Sequence, residues 1–232
     1  MLTRLLSVGL LAGLAAGLVV AAVQQVATTP RILLAETYEA VGAGQPVAAG
    51  APPRLGEHVH GHVHDHGETS RLVFTGIMTV AAAIGVAFLL IAGMLFAGDP
   101  IDERRALAWG MAGFVAAGLA PAAGLAPELP GSAAADLVGR QIWWTSTVVA
   151  TGAALWLMLR ARHVALRLAA IVLLIAPHVI GAPHPHEFES RVPAELAAQF
   201  AALSLGVQAL LWSCTAIAVG LLWPRFAPKR AR

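Results

Sequence analysis

The sequence has little charge, since only 12% of its 232 residues are Asp, Glu, Lys or Arg, against about 25% in soluble globular domains. Hydrophobic residues make up 58% of the chain. A soluble protein of this length could not remove so much apolar surface from water, so lipid must be the solvent for much of it. The composition therefore excludes an ordinary soluble domain.

The chain also lacks most of the features that mark an enzyme. Its single cysteine, Cys214, excludes a disulfide within the chain and argues against a thiolate metal site. There is no Walker A motif, no H-E-x-x-H and no G-x-S-x-G. The net charge of +2 comes from arginines at the ends of apolar runs, which indicates membrane topology and not nucleic-acid binding. We predict no enzymatic activity, no prosthetic group and no nucleic-acid partner.

Long apolar runs are what the sequence does contain. A transmembrane helix needs about 20 mostly apolar residues, and six stretches qualify. The first could pass for a signal peptide, but its apolar part is longer than the roughly 7–15 residues usual there; we expect it to be retained, with cleavage as the alternative. The sequence predicts an all-α polytopic integral membrane protein in lipid, one membrane domain over residues 1–232, with helices at about 5–27, 72–97, 106–124, 142–159, 164–182 and 197–223.

Basic residues set the predicted orientation. With the N-terminus inside, ten of the fifteen Lys and Arg residues fall in cytoplasmic segments, so the positive-inside rule favours both termini in the cytoplasm. A multi-pass protein of the bacterial inner membrane follows. Residues 28–71 become an extracytoplasmic loop rich in Gly, Pro and Ala, with a short amphipathic turn around residues 32–38 on the membrane surface.

Histidines are concentrated in this loop. Five of them alternate with other residues, an arrangement that places all five on one face of an extended strand or lets a flexible loop wrap an ion. Neutral imidazole is the commonest side-chain metal ligand, and a short His-rich tract is typical of metal binding. We expect a collector of divalent ions with poor selectivity; a solvated or pH-responsive patch is the alternative. The five are His58, His60, His62, His64 and His66.

A second group lies at the outer end of the fifth predicted helix. His178 falls inside that helix, and an ionisable residue within a membrane indicates function by default. We predict an ion path there, while a packing hydrogen bond to a neighbouring helix is the alternative for His178. Eight of the nine histidines thus lie on or near the predicted outer face. The path residues are His178, His184, His186 and Glu187.

The third and fifth predicted helices end alike. Each has two prolines six residues apart with a glycine between, at Pro121 and Pro127 and at Pro177 and Pro183. This similarity suggests a repeated two-helix hairpin. Proline frees a carbonyl, so these ends either terminate at the interface or line a substrate path. Between them, Asp136 and Arg140 are four apart, a spacing that predicts a helical ion pair.

Several segments together resemble the CbtA family of predicted cobalt transporter subunits. They are MLTRLL at residues 1–6, the His-bearing first loop, GLAPELPG at 124–131, RQIWW at 140–144, APHVIGAPHP at 176–185 and VPAELAAQF at 192–200. The resemblance implies cobalt uptake and a small, single-helix, histidine-bearing partner of the CbtB type. His178, His184 and Glu195 fall in these segments, whereas the density of the His58–His66 run within the first loop is interpreted as particular to this chain.

The sequence as a whole predicts a membrane subunit of a divalent transition-metal transporter. Co(II) is the expected substrate, with Ni(II) or Zn(II) also compatible with imidazole ligands. The alternatives are a metal sensor or chaperone that does not transport, and an exporter. A homo-oligomer is left open.

Overall fold

A computed structural model describes residues 1–42, 65–185 and 190–226 of the chain. The described part consists of helices and the loops between them, which confirms the predicted all-α polytopic membrane protein. The helices are α1 Leu2–Ala27, α2 Thr29–Gly42, α3 Asp65–Ala97, α4 Glu103–Phe114, a π-helical turn Val115–Leu119, α5 Ala120–Ala122, α6 Leu137–Arg160, α7 Val164–Ile180 and α8 Ala194–Arg225.

Four helices in the described residues are long and apolar enough to cross a membrane, namely α1, α3 over Ser70–Ala97, α6 and α8. The apolar helix α7 has 17 residues. Segments of 12, 5 and 3 residues make α4, the π turn and α5 one unbroken run of 20. The count of six spans and the orientation with both termini inside stay predictions.

Several helices extend beyond their apolar stretches. α3 begins at Asp65 and α6 at Leu137, because polar residues outside the lipid can continue a helix that apolar runs alone do not mark. The short turn predicted around residues 32–38 is instead the 14-residue helix α2. In α6 the start is fixed by Asp136, whose carboxylate accepts a hydrogen bond from the Gly139 N–H at 2.9 Å.

α1 packs along α3 through glycines spaced four residues apart. Gly9, Gly13 and Gly17 lie on one face of α1, and α3 approaches so closely that a Cβ at Gly17 would lie 2.6 Å from the Val80 Cα. A Cβ at Gly13 would meet the Ile84 backbone. In lipid, where apolar surface gains little by leaving the solvent, such close van der Waals packing is what holds helices together.

α8 packs on α1 and α4 as well. On the α4 side, residues of α8 spaced four apart fit against glycines: a Cβ at Gly110 would lie 2.6 Å from the Ala216 Cβ, and Gly113 accommodates the Trp212 ring. A buried apolar cluster joins α1, α3, α4 and α8; it consists of Val8, Ala12, Ala87, Ile91, Met94, Ile101, Ala106, Val219 and Trp223. These four helices form the core of the bundle.

The α6–α7 hairpin is attached to that core along a narrower strip. α7 packs against α6, and α6 meets the core mainly at the π turn and α5, with a smaller contact to α4. The buried face of α6 consists of Trp143, Thr147, Thr151 and Ala154. A cleft therefore runs between α4 and α6.

The two ends of the bundle are marked by different contacts. At one end, named here the Arg4 end, the Arg4 guanidinium donates to the Trp223 carbonyl at 2.6 and 3.1 Å and lies over the Trp223 ring. The opposite end carries Pro177 and is named the Pro177 end. The sequence predicts that the Arg4 end is cytoplasmic.

Candidate functional site

The site begins at the last turn of α7. Pro177 lies inside this helix and is buried. Its carbonyl accepts a hydrogen bond from Trp143 Nε1 of α6 at 3.2 Å, a bond that is itself buried. Four residues later the chain leaves the helix at Gly181, whose φ of +87° suits glycine. The hydrogen bond from the Trp143 indole therefore fixes the turn that carries His178.

The Trp143 ring is the point where both proline-containing ends converge. It stands edge-on to the His178 imidazole, with ring centroids 6.0 Å apart and planes at 73°. On another side it lies against Gly124, where a Cβ would be 2.5 Å from the indole and 3.0 Å from the Ala182 Cβ. This tryptophan is buried and joins the two ends.

The predicted Asp136–Arg140 ion pair is wrong. Asp136 caps α6, so its carboxylate is already engaged by the main chain. Arg140 instead pairs with Glu128 at 2.8 Å, and both side chains are about three-quarters buried, with 28% and 27% exposed. This pair ties the loop after α5 to the start of α6.

Further contacts connect the loops of the Pro177 end. The Arg191 N–H donates to the Gly131 carbonyl at 3.2 Å. Ala35 of α2 packs in a buried cluster with Leu129, Val192 and Leu196. α2 is also tied to α3 by the Arg71–Glu36 ion pair at 2.5 Å. The segments on both sides of the His-rich stretch are therefore anchored to this end of the bundle.

The structure describes two of the nine residues predicted to bind metal. His178 and His184 are both exposed at the Pro177 end. Among the described side chains, no three His, Cys, Asp or Glu residues come together so that they could hold a metal ion. His66 falls within α3, but its side chain lies outside the described part, as do His58, His60, His62, His64, His186 and Glu187. The predicted ligand set therefore stays a prediction.

Two cavities lie in the cleft between α6 and the continuous run of α4, the π turn and α5. One, of about 540 Å³, opens toward the Arg4 end and is named the Asp99 cavity; its lining includes Asp99, Arg105, Trp109, Ala116, Trp156 and Arg160. The other, of about 560 Å³, lies toward the Pro177 end and is named the Gln208 cavity; its lining includes Ala117, Gly118, Arg140, Gln141, Thr145 and Gln208. The sequence analysis gave no role to Asp99 or Gln208.

Asp99 organises the mouth of the first cavity. Its carboxylate accepts a hydrogen bond from Trp109 Nε1 at 2.9 Å and pairs with Arg160 of α6. Arg160 also lies over the Trp156 ring, 5.0 Å from its centroid, and donates to the Ala97 carbonyl at 3.4 Å. The end of α6 is thus fastened to the α3–α4 connection.

The fold and this site define a polytopic α-helical membrane protein with two cavities along one interhelical cleft. A family model for CbtA, described as a probable cobalt transporter subunit, matches residues 2–224. The match spans nearly the whole chain, and the chain belongs to the CbtA family. No curated protein and no solved structure matches it. The description as a subunit implies that the chain works with a partner in a transporter complex.

Proposed function

We propose that this chain is the membrane subunit that captures and moves Co(II) across the bacterial inner membrane. The family match over residues 2–224 carries the proposal. Co(II) is the substrate here, with Ni(II) and Zn(II) as competing ions of similar ligand preference. A transporter subunit needs no catalytic residues of its own, so we propose no enzymatic role.

Capture is assigned to the histidines of the extracytoplasmic loop. His58, His60, His62, His64 and His66 supply five imidazoles in nine residues, which raise the local ion concentration without selecting one metal strictly. Two features support delivery to the Pro177 end. α2 and the start of α3 are joined by the Arg71–Glu36 pair, and α2 packs against Leu129 and Val192 there.

Transfer toward the membrane is assigned to His178, His184, His186 and Glu187. His178 supports this role because it is exposed, while Trp143 contacts one side of its ring and holds the turn that carries it. A ligand on a fixed turn loses little conformational freedom when it binds an ion. The same contact also fits the packing role considered for His178, so a functional test is needed.

The energy for entry can come from the membrane potential. A charge crossing 100 mV gains about 2.3 kcal/mol, so a divalent ion gains about twice that. We propose a small single-helix, CbtB-like membrane protein as the partner subunit, with both termini of the present chain in the cytoplasm.

The test is Co(II) uptake by cells that express the full chain, with and without the small partner. We expect uptake above background, and at least a tenfold loss in His178→Ala. His163→Ala is the matched control, because His163 lies before α7 at the Arg4 end. Replacing all five loop histidines with Asn should raise the half-saturating Co(II) concentration while leaving the maximal rate intact.

Three results would contradict the proposal. Wild-type uptake in His178→Ala would remove the ion path at α7. Metal binding by the purified protein without transport in either direction would indicate a sensor or chaperone. Loss of Co(II) from preloaded cells would indicate an exporter.

A further inference from the structure

The two cavities meet at the π turn. The Asp99 cavity reaches Ala116, and the Gln208 cavity begins at the next two residues, Ala117 and Gly118. All three belong to the π-helical turn Val115–Leu119. Consecutive residues of one irregular turn thus line cavities that extend toward opposite ends of the bundle.

The π turn also brings one polar side chain to that point. On α8, Gln208, Trp212 and Ala216 are spaced four apart and fit against Gly118, Gly113 and Gly110. The step from 113 to 118 is five residues, which in a regular α-helix turns about 500° and would point Gly118 away from α8. The extra residue of the π turn offsets this rotation. A Cβ at Gly118 would lie 2.7 Å from Gln208 Oε1, so the amide rests on the turn.

The main chain of the turn has a carbonyl without its regular donor. The Ala120 N–H donates to the Val115 carbonyl in the π register. The next donor in that register belongs to Pro121, which has no N–H, so the Ala116 carbonyl loses its partner. Within the part of the chain that the structure describes, the Gln208 amide makes no hydrogen bond either. In a membrane such groups persist where protein or water satisfies them.

We propose that the π turn and Gln208 form an oxygen-lined transit site for a partly hydrated divalent cation between the two cavities. This inference rests on the transport function proposed above. Neutral amide and carbonyl oxygens hold a transition-metal ion more weakly than imidazole does, and conduction requires a site that the ion can leave. The site therefore differs in task from the histidines, which capture.

The charges that line the cavities do not oppose this role. Arg160 is paired with Asp99, and Arg140 with Glu128. Arg105 lies 3.9 Å from Asp102. Each arginine in the two linings is thus matched by a carboxylate, and no unmatched cation lines either cavity among the described residues.

The first test replaces the oxygen ligand. Gln208→Leu should lower the Co(II) uptake rate at least tenfold, while Gln208→Glu, which keeps an oxygen at that position, should retain at least a third of it. Gln199→Leu is the matched control: it is the same change on the same helix at an exposed residue that lines neither cavity. Wild-type uptake in Gln208→Leu, or equal losses in Gln208→Leu and Gln199→Leu, would overturn the transit site.

A second measurement does not depend on transport and separates this inference from the proposed function. In a Cys214→Ser background, Ala117→Cys should react with a membrane-impermeant maleimide applied from the histidine-bearing side, and Co(II) should slow the reaction. Leu119→Cys is the control, because Leu119 is 47% exposed on the same turn but lines neither cavity. We expect Ala117→Cys to react at least tenfold faster. Equal rates, or no reaction at Ala117→Cys, would overturn the site even if His178→Ala abolishes uptake.

Discussion

The α1–α3 interface and the α4–α6 cleft pack in opposite ways. Between α1 and α3, Gly13 and Gly17 let the backbones approach closely, and Gly9 accommodates the Phe88 ring. On the other side, a cavity of about 540 Å³ separates α4 from α6, and one of about 560 Å³ separates the π turn and α5 from α6; polar and aromatic side chains are among their linings. Both interfaces belong to one small membrane protein.

The difference indicates a division of labour. Close backbone packing gains van der Waals energy along its length and resists separation, so the core helices α1, α3, α4 and α8 form a fixed frame. The α6–α7 hairpin is held to the rest of the bundle at two ends instead, by the Arg140–Glu128 pair and the packing of Trp143 on Gly124 at one end. At the other end the Asp99–Arg160 pair holds it. The cleft has room for an ion with bound water.

The largest expected effect is on the tight interface. Gly13→Ala places a methyl against the Ile84 backbone, and overpacking of this kind costs about 1–3 kcal/mol. Because backbone atoms cannot rotate away, we expect about 3 kcal/mol loss in the free energy of unfolding. Gly85→Ala is the matched control, since nothing lies within 4 Å of a Cβ there; it should be neutral or gain up to about 1 kcal/mol from helix propensity.

Reversible unfolding in mixed micelles measures both variants. Equal stability of Gly13→Ala and Gly85→Ala would show that α1 and α3 are not held by close approach, and the contrast with the cleft would fail.

The sequence predicted where the helices lie, but not which helices pack against one another. Apolar runs identify membrane segments because lipid accepts little else, and α1, α6 and α8 fall where such runs lie. The four-residue spacing of Gly9, Gly13 and Gly17 was a readable sign of close packing. Which helix they meet depends on the tertiary arrangement, which spacing alone does not encode.

The candidate site was predictable only in part. Pro177 and His178 mark a special helix end in the sequence. The π turn could not be predicted in this way, because its hydrogen-bond register is fixed by packing against Gln208 and Trp212, which lie on α8, far away in the sequence. Likewise, both Asp136 and Glu128 are acids that Arg140 could pair with. Because the Asp136 carboxylate caps α6, Arg140 pairs with Glu128. The spacing of residues in the sequence does not show whether a carboxylate will accept a backbone N–H or pair with a side chain.

A smaller effect is expected at Trp143, whose hydrogen bond joins α6 to α7. Trp143→Phe keeps most of the ring but removes one of the two hydrogen bonds to the Pro177 carbonyl, which still accepts the Gly181 N–H at 3.0 Å. A single hydrogen bond contributes about 0.5–1.5 kcal/mol net. We expect a loss near 1 kcal/mol and faster amide hydrogen exchange in the last turn of α7, with exchange in α1 and α3 unchanged. Trp144→Phe, at the exposed neighbouring indole, is the stability control. Faster exchange in α1 as well would mean that the hairpin and the frame unfold as one unit.

The smallest effect is expected at the opposite end of the hairpin, where Asp99 meets Arg160. The two side chains are 26% and 39% exposed, and water at such sites reduces an ion pair to about 0.2–1 kcal/mol. Arg160→Gln alone also removes the contact with the Trp156 ring. A double-mutant cycle with Asp99→Asn isolates the coupling between the two residues.

We expect a coupling free energy of about 0.5–1 kcal/mol that falls as salt is raised, since partly exposed charges are screened. An ion pair this weak can break and re-form within the energy that the membrane potential gives a divalent ion. A coupling above about 3 kcal/mol, insensitive to salt, would mean that the Arg4 end of α6 is as fixed as the α1–α3 interface. The cleft would then be a rigid feature of the bundle, and ions would have to cross it without movement of the hairpin.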